Sequence, residues 1–259
     1  PMPFTGVTQF IFNAEGEAAL VDEGAAKPAG NATATPKIIK PVKFVYQQRV
    51  SDEFVKSSDE VRLRYLEGFA EGFGRKIARS FDIAAMHGIE PATKAAASFK
   101  ATNSFDGMVT NVETYAAATV DENIDDAIQS ITDGNVTGIV LSPTAAAALS
   151  KIKANGVTQF PEFRFGQNPD AFYGMASDVN STLEVQGTGV TDKDHVLVGD
   201  FESAFRWGYA DNISLEVIEY GDPDGAGHDL KQYNEVLLRT EAYIGWGILD
   251  ANAFALVQA

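Results

Sequence analysis

Hydrophobic and polar positions alternate from the start of the chain. In GVTQFIFNAEGEAALV, Phe10, Phe12 and Ala14 take every second place among polar neighbours, the period of a half-buried strand. The run breaks into the small and charged stretch ALVDEGAAKP, residues 19–28. Pro28, Pro36 and Pro41 then keep the backbone extended and partly unable to pair. Alternation returns in IIKPVKFVYQQRVS, where Val42, Phe44 and Tyr46 oppose Lys43, Val45 and Gln47. Two strand-like limbs around a Gly/Ala/Pro tip predict a long two-stranded loop. An isolated hairpin is marginal in water, so this arm is expected to lie on a neighbouring subunit.

The period changes after Ser51. Leu66, Phe69, Phe73, Ile77, Phe81 and Ala84 or Ala85 step by three or four, one stripe of a long amphipathic helix. Ser51, Asp52 and Glu53 supply a cap and acids for its positive end, and Gly88 a stop after Met86. Gly68, Gly72 and Gly74 inside it would each cost about 1 kcal/mol relative to alanine, tolerable where another backbone packs closely. The internal EGFGRKIA lacks the Lys-Ser/Thr ending and preceding strand of a phosphate loop.

Residues 90–120 read as loop-rich, with FDGMVTNVE as a hairpin. Asp121–Thr132 predicts a short acid-capped helix, GNVTGIVLSP a strand, and Pro143 to about Lys153 a second, alanine-rich helix. HVLVGDFESAFRWGY, ISLEVIEYG and EVLLRTEAYIGWGIL predict three strand-rich segments, with ALVQA closing the last. Strands far apart in sequence around one long helix imply an α+β body.

Composition narrows the function. With 20 Lys+Arg against 36 Asp+Glu the net charge is −16, which argues against a surface built to grip phosphate backbones. There is no cysteine, so neither disulfides nor thiolate chemistry are available. No signal peptide and no apolar run of membrane-spanning length is evident, so a soluble protein made inside the cell is expected. A chain that opens on the run into a strand is expected to be a fragment or a processed product.

Candidate chemistry is sparse. His87, His195 and His228 lie far apart without metal-ligand spacing, and each reads as a satisfied or solvent-facing histidine. GDPDGAGHD (221–229) only loosely resembles a calcium loop and reads as an acidic surface turn. The N-x-S/T triplets at Asn31, Asn135, Asn180 and Asn212 read as chance. There is no G-x-S-x-G elbow. No cofactor or metal is expected, and no conventional active site assembles.

Five stretches in order, ALVDEGAAKP, FDIAAMHG, GIVLSPTAAAALSKIKA, VLVGDFESAFRWGYADNISLEV and EVLLRTEAYIGWGILDANAFALV, cover almost the whole chain. Together they resemble the major capsid proteins of tailed bacteriophages, the Hong Kong 97-type capsid fold. The resemblance implies an extended loop over 8–45 and a spine helix over 51–88. It implies an axial domain over 119–205 and a peripheral domain over 46–118 and 206–259. Family members also carry an N-terminal arm ahead of the extended loop, which fits the expectation that this chain is a fragment or a processed product.

The implied function is mechanical. Copies would form hexamers and pentamers of an icosahedral shell enclosing DNA without sequence-specific binding, assembled in the host bacterial cytoplasm and kept in the virion capsid. Scaffold, portal and protease proteins are implied partners; no membrane is. Some members stitch subunits with a Lys–Asn isopeptide bond assisted by a glutamate, and alignment by eye puts Lys27, Asn234 and Glu241 at those positions. The amine must be neutral to attack, which a dry pocket favours, and a carboxylate can take the proton shed. Seven residues apart, Asn234 and Glu241 on one regular strand would face opposite ways. The alternatives are an encapsulin-like nanocompartment, or a ligand-binding or hydrolytic α/β protein.

Overall fold

The structure, a computed structural model, describes residues 1–15, 20–27, 29, 31–56, 58–131, 135–211 and 214–259. Pro28, the end of the predicted helix at Thr132 and the triplet at Asn212 lie outside the described residues.

Strands β1 (Val7–Glu15) and β2 (Asn31–Ile39) form an antiparallel ribbon running from the pair Val7–Ile39 to the pair Glu15–Asn31. The arm is therefore two-stranded, as its alternation predicts. Its returning limb is not the Val42–Tyr46 alternation, however. That pattern belongs to β3 (Pro41–Ser51), which leaves the ribbon and pairs with a strand of the body. Phe44 is buried there because it faces the long helix. Pro36 sits in β2 opposite Phe10, where a two-stranded ribbon tolerates a missing N–H.

The predicted single helix is split. Ser51 still pairs with Glu235 across the sheet, so the helix cannot begin until the chain has left the ladder. A single turn, α1 (Asp52–Val55), comes first, with the Ser51 Oγ accepting the Glu53 N–H at 3.2 Å. The long helix is α2 (Asp59–His87). Its stripe buries Phe69, Phe73, Ile77, Ala84 and Ala85, and Gly88 ends it in the left-handed conformation at φ 60°. Its glycines are uncrowded: a Cβ on Gly68, Gly72 or Gly74 would meet nothing within 4 Å among the described residues. The close-packing explanation for these glycines therefore does not hold within one chain.

After α2 the chain makes two short helices, α3 (Lys100–Asn103) and α4 (Phe105–Met108), then β4 (Val112–Thr114). The expected FDGMVTNVE hairpin is thus a helical turn followed by a strand. The Ser104 Oγ accepts the Gly107 N–H and nucleates the turn. Helix α5 (Val120–Ser130), β5 (Gly138–Leu141) and α6 (Pro143–Leu149) follow as expected, though α6 ends earlier than predicted. Ser142 caps α6, its Oγ accepting the Ala145 N–H at 3.0 Å. The next strands are β6 (Lys153–Ala154), β7 (Val157–Thr158), β8 (Ala171–Phe172), β9 (Met175–Val179) and β10 (Asp194–Gly199). Then come β11 (Phe205–Tyr209), β12 (Ser214–Ile218), β13 (Glu235–Ile248) and β14 (Phe254–Gln258).

Two main sheets result. A mixed sheet runs β4-β14-β10-β5-β9-β8, and its core holds Ile139, Leu141, Val196 and Val198 against α5 and α6. A second sheet is organised by β13, which pairs β3 along one edge and β12 and β11 along the other. Its alternating inner face packs on α2 around Trp246. ALVQA does not close this second sheet as expected. It forms β14, between β4 and β10. The final strand thus shares a sheet with segments of 119–205, whereas the expected division groups it with 206–259.

Candidate functional site

The motif Gly245-Trp246-Gly247 in β13 divides two roles between its faces. Trp246 is fully buried toward α2, in edge contact with Phe81 and Phe99 at centroid distances of 5.5 and 5.2 Å. Its indole Nε1–H donates to the Asn103 carbonyl at 3.0 Å, and Asn103 Nδ2 donates back to the Trp246 carbonyl at 2.8 Å. The two glycines leave room on the other face. A Cβ on Gly247 would lie 2.8 Å from the Ile39 side chain, and one on Gly245 would lie 2.6 Å from Met2 Sδ. The base of the β1–β2 ribbon is seated on these two bare backbone positions. Lys37 fastens it, its Nζ donating to the Ile248 carbonyl and lying 3.7 Å from Met108 Sδ. Burial lowers the pKa of Lys37. Sequence reasoning missed this lysine, because nothing in KII distinguishes it from a solvated one.

Further out the ribbon is apolar on one face. Phe10 lies opposite Pro36 and Thr8 opposite Ile38, so these four share a side, and Phe10 and Ile38 are each 58% exposed. The sheet carries a further exposed apolar group in Trp207, Tyr209, Leu215 and Val217, and the first sheet's outer loops expose Phe165 and Tyr173.

The structure does not bring the three crosslink candidates together within one chain. Lys27 is exposed in the connection between β1 and β2. Asn234 precedes β13 in the left-handed conformation (φ 54°, ψ 48°), with an exposed side chain and its carbonyl accepting the Asp52 N–H at 2.6 Å. Asn234 therefore stands outside the strand, and strand alternation does not set its side relative to Glu241. Glu241 lies seven residues on, about 23 Å away at roughly 3.3 Å per residue. Its carboxylate pairs with Lys43 Nζ at 2.6 Å and accepts from the Tyr243 hydroxyl at 3.3 Å. The Lys43 hydrogen bond holds the Glu241 carboxyl below its ordinary range.

The acidic loop 221–229 is occupied by its own chain. Asp222 accepts the Ala226 and Gly227 N–H groups at 2.9 and 2.8 Å, and Asp229 accepts those of Gly221 and Lys231. Arg49 on β3 reaches Asp222 at 2.7 Å, Asp224 Oδ2 at 2.9 Å and Glu235 at 3.0 Å. The Arg49 hydrogen bonds push the Asp224 carboxyl down to about 2. This is a tethered surface turn, and its aspartates serve Arg49 and the turn's own backbone.

The histidines differ more than their spacing suggests. His228 lies 3.1 Å from Glu235. His195 is buried, stacked on Tyr115 at 3.9 Å and hydrogen-bonded to Ser142 at 3.1 Å, and burial lowers its pKa. His87 meets two aspartates from distant elements, Asp106 and Asp194. Burial opposes its charge, but the carboxylates prevail and raise its pKa to about 10. No sequence spacing announces this cluster, because its members come from α2, α4 and β10.

The chain thus combines a ribbon seated on a glycine-notched sheet, one long helix and two sheets. A family model described as the Phage capsid family matches residues 5–259. The chain therefore belongs to the phage capsid family. A solved structure from Mycobacterium phage Ogopogo is similar at 32% identity and a TM-score of 0.81, covering 100% of this chain and 88% of that one. One from Gordonia phage Cozz, at 23% identity, has a TM-score of 0.77 over 99% and 81%. A structure titled as the capsid of an empty GTA particle, at 15% identity, shares the fold with a TM-score of 0.68 over 99% and 86%. No curated protein sequence matches. The chain is a major capsid subunit, a structural protein of the virion shell with an α+β capsid fold. Among the described residues no helix is long and apolar enough to cross a membrane.

Proposed function

We propose that copies of this chain tile the shell as hexamers and pentamers, each laying its β1–β2 ribbon across a neighbour. The observation that carries this reading is the ribbon itself. It is fastened at its base to Gly245 and Gly247 and presents Phe10 and Ile38 outward. A two-stranded ribbon with an apolar exposed face is marginal alone and gains its order from a second surface. The division into extended loop, peripheral domain and axial domain belongs to the same reading. Scaffold, portal and protease proteins, and DNA enclosed without base-specific contacts, are its further partners. The net charge of −16 supports a shell to which packaged DNA does not adhere. Electron microscopy of the expressed chain tests it: shells or capsomer rings are expected, and a monodisperse monomer at shell-forming concentrations overturns it.

Within that reading, Lys27 of one subunit attacks the side-chain amide of Asn234 on another. The Nζ–Cγ bond forms, the Cγ–NH2 bond breaks, ammonia leaves, and Glu241 relays the proton from the attacking amine to it. Lys27 and Asn234 are both exposed, so the dry surroundings that favour a neutral amine must come from subunit contact. Glu241 must exchange its Lys43 partner to serve. Mature particles are expected to give SDS-resistant ladders containing a Lys27–Asn234 peptide short of one ammonia. Fully monomeric bands from intact mature heads would end the crosslink reading and leave the shell reading standing.

A further inference from the structure

His87 is the last residue of α2, and the residue is 3% exposed. Nε2 lies 2.9 Å from the Thr182 carbonyl oxygen. A carbonyl only accepts, so this nitrogen carries a proton and donates. Nδ1 is then turned to the other side of the ring, where Asp106 Oδ2 lies at 3.0 Å and Asp194 Oδ2 at 3.3 Å. The side chains of His87 and Asp194 are each only 4% exposed. Gln258 Nε2 donates to the outer oxygen of Asp194 at 2.6 Å, while the second oxygen of Asp106 is buried with no hydrogen-bond partner. One nitrogen and two carboxylate oxygens thus converge, all within 4.8 Å of one another.

These groups face one another in a buried site, where a proton on Nδ1, held by the two carboxylates, or a metal ion in its place supplies the positive charge between them. A proton on Nδ1 supplies one positive charge against two carboxylates and leaves the site net negative. A divalent ion with a neutral imidazole balances it. Size agrees as well. Bonds of about 2.0–2.1 Å to a tetrahedral or octahedral ion give ligand–ligand edges of about 2.9–3.4 Å, the range in which both Nδ1–O separations fall. The surroundings have the form of outer-shell support: the far imidazole N–H is held by a backbone carbonyl, and Asp194 is held by Gln258. One imidazole with two carboxylates is a zinc-type donor set, with water completing the coordination.

We propose that His87 Nδ1, Asp106 and Asp194 bind a single divalent zinc-class ion that ties the end of the spine helix to α4 and the β10–β14 sheet. The ion would act as a structural joint, because its ligands come from three elements that no disulfide can link in a cysteine-free chain. Binding displaces the competing proton from Nδ1, so affinity weakens as pH falls.

The test uses the full chain, stripped with EDTA and dialysed against Zn2+, with bound metal measured by elemental mass spectrometry. About one Zn2+ per chain is expected, together with a rise in the unfolding midpoint. Co2+ in its place should give the visible absorption of an inner-sphere site. The Asp106→Asn variant keeps the shape of the side chain and should bind Zn2+ at least tenfold more weakly. Wild-type protein with well under one tightly held Zn2+ per chain and no Co2+ spectrum overturns the proposal. So does a folded Asp106→Asn variant that binds as tightly as wild type. If that variant fails to fold, the wild-type stoichiometry and Co2+ spectrum decide the matter unaided.

Discussion

Arg49 sits 13% exposed beneath a loop that crowds aspartates around it. In the sequence that loop, GDPDGAGHD, offers its acids as though to a cation in solution. The cation is in fact an arginine 173 residues earlier in the chain. Composition made the acidic turn legible but not its partner, because β3 is brought beside β13 only by long-range pairing. The pairing sets a pH window. Asp224 has a folded pKa of about 2 against an ordinary 3.8. A depressed carboxyl contributes stability that is present above the unfolded value and is lost as pH falls from there through the folded value. The loop should therefore stay tethered at pH 4 and above and loosen between about 4 and about 2. Carboxyl-carbon NMR should find Asp224 titrating near the lower end. Arg49→Ala should return it to the ordinary carboxylate range; a midpoint unmoved by that substitution would remove Arg49 as the cause.

At the scale of elements, periodicity located what local forces decide and missed what partners decide. The stripe from Phe69 to Ala85 and the stop at Gly88 were readable, since a helix must bury one face and end somewhere. FDGMVTNVE and ALVQA were misread because strand pairing is chosen by distant segments. β4 and β14 pair with each other in parallel across more than a hundred intervening residues. The crosslink residues were reachable only through family resemblance, and the His87 cluster not at all. Trp246 shows how sequence-distant pieces are locked. Its indole joins β13 to Asn103, and its faces meet Phe81 of α2 and Phe99 before α3. Trp246→Ala should cost about 3–5 kcal/mol in denaturant unfolding, the range for emptying a packed aromatic site. Trp246→Phe should keep most of the packing yet lose about 1–3 kcal/mol, because the Asn103 carbonyl loses its donor. Equal losses in the two variants would mean that the hydrogen bond, and not the ring, dominates.

For the whole molecule, the decisive feature is that the two faces of the same ribbon meet different surroundings. Its base is internal: Ile39 is buried over Gly247, and Lys37 is tied to β13. Its outer face is external, and in a single chain Ile38 remains 58% exposed one residue from buried Ile39. If the outer face meets a neighbour as proposed, alternation along β2 gives one side chain to the subunit's own body and the next to that neighbour. Ile38→Asp should therefore leave the isolated subunit's unfolding midpoint within about 0.5 kcal/mol of wild type, as exposed substitutions do. Yet it should abolish shells in sedimentation, because it places a charge on the apolar face that a neighbour must desolvate. Ile39→Asp should do the reverse in order of cause, unfolding the subunit before assembly can be assayed. Shells that form normally from the Ile38→Asp chain would show that the ribbon's outer face does not reach a neighbouring subunit.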